Sequence, residues 1–182
     1  MKRMTQMIAG AMVLLPASMA YADAEKKLQV CSGCHGVETS SAPDIPNLAG
    51  QNAEYIFNQV KNFKAGTRKD FTMSLMVEAI SDDDIKVVAA HYATITPAAN
   101  TFDKALAAKG KEIFTSVCFA CHGDKGLGGE NIARIATQKS AYLIKQLKAF
   151  KSGARDNETM RDVASKLSED QMKAVAEYES SL

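Results

Sequence analysis

"VCSGCHGV" (Val30–Val37) and "VCFACHGD" (Val117–Asp124) repeat one pattern, Cys-x-x-Cys-His-Gly, and together use all four cysteines of the 182-residue chain. The copies lie 87 residues apart, and the same shift aligns Met73 with Met160. Laid on residues 111–182 without a gap, residues 24–95 give 23 identities in 72 positions, among them Gln51/Gln138, Tyr55/Tyr142, Phe63/Phe150, Gly66/Gly153, Arg68/Arg155 and Ser81/Ser168. Low complexity does not put that many matches at one offset, so the chain is an internal duplication. The small, polar, Pro-containing stretch at 96–102 is the linker. It separates a first domain at 23–95 from a second at 103–182. Units of about 80 residues bury modest cores, and each calls for a staple.

The cysteines suggest what that staple is. A thioredoxin-like dithiol needs a strand before its Cys-x-x-Cys and no His after it, and neither copy offers the strand. A zinc site built from two knuckles places them about 15–20 residues apart, whereas Cys34 and Cys118 are 84 residues apart. Covalent attachment of haem c fits, because Cys-x-x-Cys-His is its signature. Positions i, i+3 and i+4 share one helical face. Two thiols therefore reach the two vinyl groups while the His meets the iron from the same side. Cys31 and Cys34 with His35, and Cys118 and Cys121 with His122, are the two sets.

A second axial ligand comes from the other face of the ring. The chain has three histidines, and the third, His91, aligns with Tyr178, so it reads as an ordinary helix residue. Met is the regular alternative and raises the potential. Met73 and Met160 are the methionines that survive the shift, and each follows a polar stretch, 67–72 and 154–159, expected to loop across a haem. Met76, opposite Val163, reads as core filler.

Helical periodicity runs through both copies. Ile56, Val60 and Phe63 are matched by Leu143, Leu147 and Phe150, and Gly66 and Gly153 stand where a C-terminal cap belongs. Ser81 and Ser168 open the last helix of each copy above acidic first turns, with Ser168 to Gln171 spelling a capping box. No alternating β-branched run appears, so the fold class is all-α.

At the N-terminus, Lys2 and Arg3, an apolar run over 7–15 and Ala20-Tyr21-Ala22 form a secretory leader over residues 1–22. The cut falls near Asp23, with Ser18-Met19-Ala20 as a second candidate. This makes the protein periplasmic. Residues 23–97 carry seven basic and ten acidic side chains and 98–182 carry thirteen and eleven. The halves differ in sign, and a near-neutral total excludes bulk nucleic-acid binding.

"KGKEIF" followed by "CFACHG" (within Lys109–Gly123) and "PNLAG" (Pro46–Gly50) resemble class I cytochromes c, and the tandem layout is similar to that of dihaem cytochromes c4. The resemblance implies two cytochrome c domains packed about a pseudo-twofold axis, haem propionates near their interface, and two covalent haems c. It also implies relay of single electrons from a donor protein to a terminal oxidase or other acceptor, with peripheral membrane association possible. A similar layout occurs in the dihaem subunit of flavocytochrome c sulfide dehydrogenases. On this resemblance the chain is a carrier, not an enzyme. It also implies that the Pro46 carbonyl orients the haem His; its counterpart is Ala133, expected to hold His122 less firmly. Gly110 and Phe114 of the first-helix packing motif are replaced by Asp23 and Lys27. Arg68 and Arg155 are either propionate ligands or solvated loop charges. Lys145, Lys148 and Lys151 are either a docking face or solvated.

Overall fold

The computed structural model describes residues 17–182, with side chains from residue 25 onward. The leader expected over 1–22 falls outside the described residues, apart from the backbone of 17–22, which belongs to α1. Helices account for the regular structure, and no strand occurs among the described residues.

The first half contains α1 (Ala17–His35), α2 (Ala53–Lys64), α3 (Phe71–Val77) and α4 (Asp82–Thr94). The second repeats the order. There α5 (Lys104–Ile113) runs through a π-helical turn, Phe114–Cys118, into α6 (Phe119–His122), followed by α7 (Ser140–Ser152), α8 (Glu158–Ser165) and α9 (Glu169–Ser181). Most termini expected from the sequence stand. Ser168 and Gln171 form the capping box, and Ser81 forms one with Asp84, a shorter carboxylate in the same role. Gly153 caps α7 in the left-handed region, and Gly66, at φ 70°, follows the α2 cap one residue on.

Each half has its own core. In the first, Ile56, Val88, Ala89 and Tyr92 are buried against Leu28, Cys31 and Val60. In the second, Phe114, Leu143, Val175 and Ala176 form one cluster and Phe150, Ala164, Leu167 and Met172 another. The first-helix packing differs as expected. Gly110 lets α5 lie so close to α9 that a Cβ there would sit 2.0 Å from the Ala174 carbonyl oxygen. Phe114 is fully buried, with its ring 5.2 Å from that of Tyr178. In the first half Lys27 occupies the Phe114 position and forms an ion pair with Asp84 at 2.5 Å.

The halves join through reciprocal hydrogen bonds. Gln51 accepts from Arg134 N at 2.7 Å and donates to Arg134 O at 2.9 Å. Gln138 does the same to Asn47, at 2.8 and 3.0 Å. Arg68 donates to the Tyr142 hydroxyl and Arg155 to that of Tyr55, each at 2.8 Å. Because residue i meets j while the counterpart of j meets the counterpart of i, the contact is pseudo-twofold. Arg68 and Arg155 thus join the halves and are half-buried, not solvated loop charges. Each also lies over a phenylalanine of its own half, Phe63 or Phe150, at 4.6 and 4.5 Å from the ring centroid.

Candidate haem-binding sites

Cys31, Cys34 and His35 fall on the last turn of α1, and Cys118, Cys121 and His122 span the end of the π-helical turn and α6. Each helix stops at its His because the next glycine turns the chain, Gly36 at φ 64° and Gly123 at φ 79°. At Gly36 the turn is so tight that a Cβ would overlap the Thr39 carbonyl.

The imidazoles are fixed by backbone carbonyls. His35 Nδ1 lies 2.9 Å from Pro46 O, and His122 Nδ1 lies 2.8 Å from Ala133 O. Ala133 thus presents the same backbone acceptor to its His as Pro46 does. A turn replaces proline's rigidity there. Gly129 and Ile132 exchange backbone hydrogen bonds, and Ile135 and Ala136 both donate to the Gly126 carbonyl. The carbonyl at Nδ1 leaves Nε2 of each ring for a metal, with the tautomer set by its partner. Burial lowers the pKa of both histidines, opposed by the accepting carbonyls and, at His35, by Asp70. The neutral imidazole that a metal requires is thereby favoured.

The thiols do not suit dithiol chemistry. Burial raises the pKa of Cys31, and burial with the Glu179 carboxylate raises that of Cys118, whereas a reactive dithiol needs a depressed value. Among the described residues no group of three or more His, Cys, Asp and Glu side chains converges as a metal cluster would.

Met73 and Met160 do not ride on open loops. Each sits at the third position of a short helix, α3 or α8, whose N-cap side chain, Asp70 or Asn157, accepts the methionine's own N–H at 3.1 and 2.9 Å. This cap went unread in the sequence, although Asp and Asn at equivalent positions signal it. Asp70 also acts on the charge of His35, which brings the α3 cap near that ring. Met160 is half-buried against Phe150, Ala164, Leu167 and Met172, while Met76 and His91 are exposed.

A family profile described as "Cytochrome C oxidase, cbb3-type, subunit III" matches residues 105–178. Cytochrome c4 of Stutzerimonas stutzeri is 34% identical over 176 residues, 84% of each chain. The chain belongs to the cytochrome c4 family. A thiosulfate dehydrogenase electron acceptor of S. stutzeri strain A1501 is 34% identical over 165 residues, covering 81% of this chain and 76% of that one. The crystal structure of reduced cytochrome c4 from Pseudomonas stutzeri superposes with a TM-score of 0.82 at 32% identity, over 88% of this chain and 97% of that one. As a member of this family the protein consists of two cytochrome c domains and carries two covalent haems c. The donor set fits that cofactor: two thiols and an imidazole on one helical end in each half, with the imidazole held from behind. When bound, each haem supplies one-electron exchange at iron.

Proposed function

We propose that Cys31 and Cys34 attach the first haem and Cys118 and Cys121 the second, with His35 and Met73, and His122 and Met160, as axial iron ligands. The observation that carries this reading is the duplicated His–carbonyl pair, which aims one ring nitrogen of each His away from the protein backbone beside two thiols. With His and Met on both irons no coordination position is open to a substrate, so the protein relays single electrons and catalyses no bond chemistry. A leader at 1–22 exports it to the periplasm. No helix among the described residues is long and apolar enough to cross a membrane.

The two halves present different surroundings to partners. Beside Met73, Phe71, Leu75 and Met76 are exposed, whereas the equivalents beside Met160 are Glu158, Asp162 and Val163. Donor and acceptor therefore meet different domains. Similarity to a thiosulfate dehydrogenase electron acceptor favours a dehydrogenase of reduced sulfur compounds as the donor and a terminal oxidase as one acceptor. Co-purification with a flavoprotein would instead identify the protein as a sulfide dehydrogenase subunit. A spectroscopic redox titration tests the assignment, with two haems per chain, Met–iron charge-transfer absorbance from both, and two one-electron steps expected. One haem, or an open coordination position on either iron, would overturn it.

A further inference from the structure

The duplication breaks at one buried position. Tyr92 and Glu179 are equivalents under the 87-residue shift, both buried on the last helix of their half. Tyr92 sends its hydroxyl to the Gly36 carbonyl at 2.9 Å and lies beside Cys31. Glu179 takes its place one turn on from Val175 and Ala176, against which Cys118 packs, and its carboxyl and the Cys118 thiol act on each other's protonation. One half thus buries a phenol next to its attachment cysteine, and the other a carboxyl.

We propose that Glu179 is a proton-binding site coupled to the electron on the second haem, taking up a proton on reduction and releasing it on oxidation. The inference rests on the proposed attachment through Cys118. Burial pushes the carboxyl up to about 8, and the Cys118 thiol works against that rise. Thioether formation consumes the S–H, so attachment removes the donor that steadies the carboxylate. The remaining influence is the haem's charge. The oxidised site is one unit more positive and favours the carboxylate; the reduced site favours the acid. One electron arriving from a redox partner is matched by one proton drawn from solvent, and the reverse transfer returns both.

Few charges compete. From the helical turn packed on α9, Cys118 is the titratable group facing Glu179. On α5, Lys104, Lys109, Lys111 and Glu112 are exposed. On α7, Lys145 lies 4.0 Å from Asp44 and Asp70, Lys148 pairs with Glu169, and Lys151 donates to the Leu167 carbonyl, while Lys139 stands at the helix entry. Arg134, in the loop against the end of α9, reaches Thr137 Oγ1 at 3.4 Å. Glu177, on α9 itself, accepts from Asp103 N.

The experiment is potentiometric titration of the intact dihaem protein from pH 6 to 10, wild type against Glu179→Gln. In the wild type one step should fall with pH, by up to about 59 mV for each tenfold change in proton concentration, while the other changes less. Glu179→Gln should abolish that slope and leave two haems per chain. Redox-difference infrared spectra of the wild type, which need no variant, should lose a protonated-carboxyl band on oxidation. A slope that persists in Glu179→Gln, or no carboxyl band in the wild type, overturns the inference with the haem assignment intact. A missing second haem in the wild type would overturn the assignment itself.

Discussion

Met73 and Met160 share a register, a helical position and a capped N–H, and these point to one role for both. Met73→Ala and Met160→Ala should each abolish one Met–iron charge-transfer signal. Met76→Leu should abolish neither, since its side chain is exposed and has no counterpart methionine. Loss of a signal in Met76→Leu would reassign the first ligand. Thr137 offers a second test at this scale. It holds φ 59° where the first repeat has Gly50 at φ 67°, a left-handed conformation costing a β-branched residue roughly 1–2 kcal/mol. Its hydroxyl donates to the Leu182 carbonyl at 3.1 Å, an interaction worth about 1 kcal/mol. Thr137→Val keeps the strain and loses the bond, whereas Thr137→Gly loses both. Thr137→Val should therefore be the less stable variant in denaturant titration. Glu179 adds a pH dependence with a definite sign. In the reduced protein it is protonated when buried, and it ionises near the ordinary carboxylate value when the chain unfolds. The folded state thus binds the extra proton, and stability falls as pH rises from that value to about 8. The slope approaches about 1.4 kcal/mol per pH unit, and thermal melts of Glu179→Gln should lack it.

Among the helices, the α5–α9 crossing is the tightest point of the second half, and Gly110 makes it possible. Since a Cβ there would meet backbone, which cannot rotate away, Gly110→Ala must part the two helices. Overpacking of this kind costs about 1–3 kcal/mol. Thermal unfolding should show it, with the second haem's ligand signal lost at lower temperature than the first. Equal loss of both signals would mean that the crossing stabilises the molecule as a whole. Helical periodicity and caps made most of this level legible in the sequence, because the apolar spacing of Ile56, Val60 and Phe63 depends only on local neighbours. The loops expected over 67–72 and 154–159 end two residues earlier, because the caps Asp70 and Asn157 open α3 and α8 there. Glu179 was invisible for another reason. Nothing in the local sequence marks it as buried, and its environment comes from Cys118, 61 residues away.

Across the whole molecule, the residues that recur between copies include those that join them, which the sequence marked without showing what they touch. The lysines of α7 illustrate the point. Read as either a docking face or solvated, Lys145 lies 4.0 Å from Asp44 and Asp70 of the other half, and Lys148 and Lys151 find partners within their own. The arginines test that joint most directly. Gln59 Oε1 accepts from Arg68 and Arg155, each at 2.8 Å, and Gln146 Oε1 accepts from the same pair at 3.2 and 2.7 Å. Two cations sharing two neutral acceptors form one network, and changes within a network do not add. Arg68→Ala leaves Arg155 both glutamines and should loosen the joint only partly; Arg155→Ala is its mirror image. The double variant should depart from additivity by about 0.5–3 kcal/mol. Calorimetry should then resolve one cooperative transition into two, because each half retains its own core. Proteolysis should at the same time become faster within 96–102. Additive effects with a single transition would show that the remaining contacts between the halves, those of Gln51 and Gln138 among them, hold the joint, and that the arginines only cover the phenylalanines beneath them.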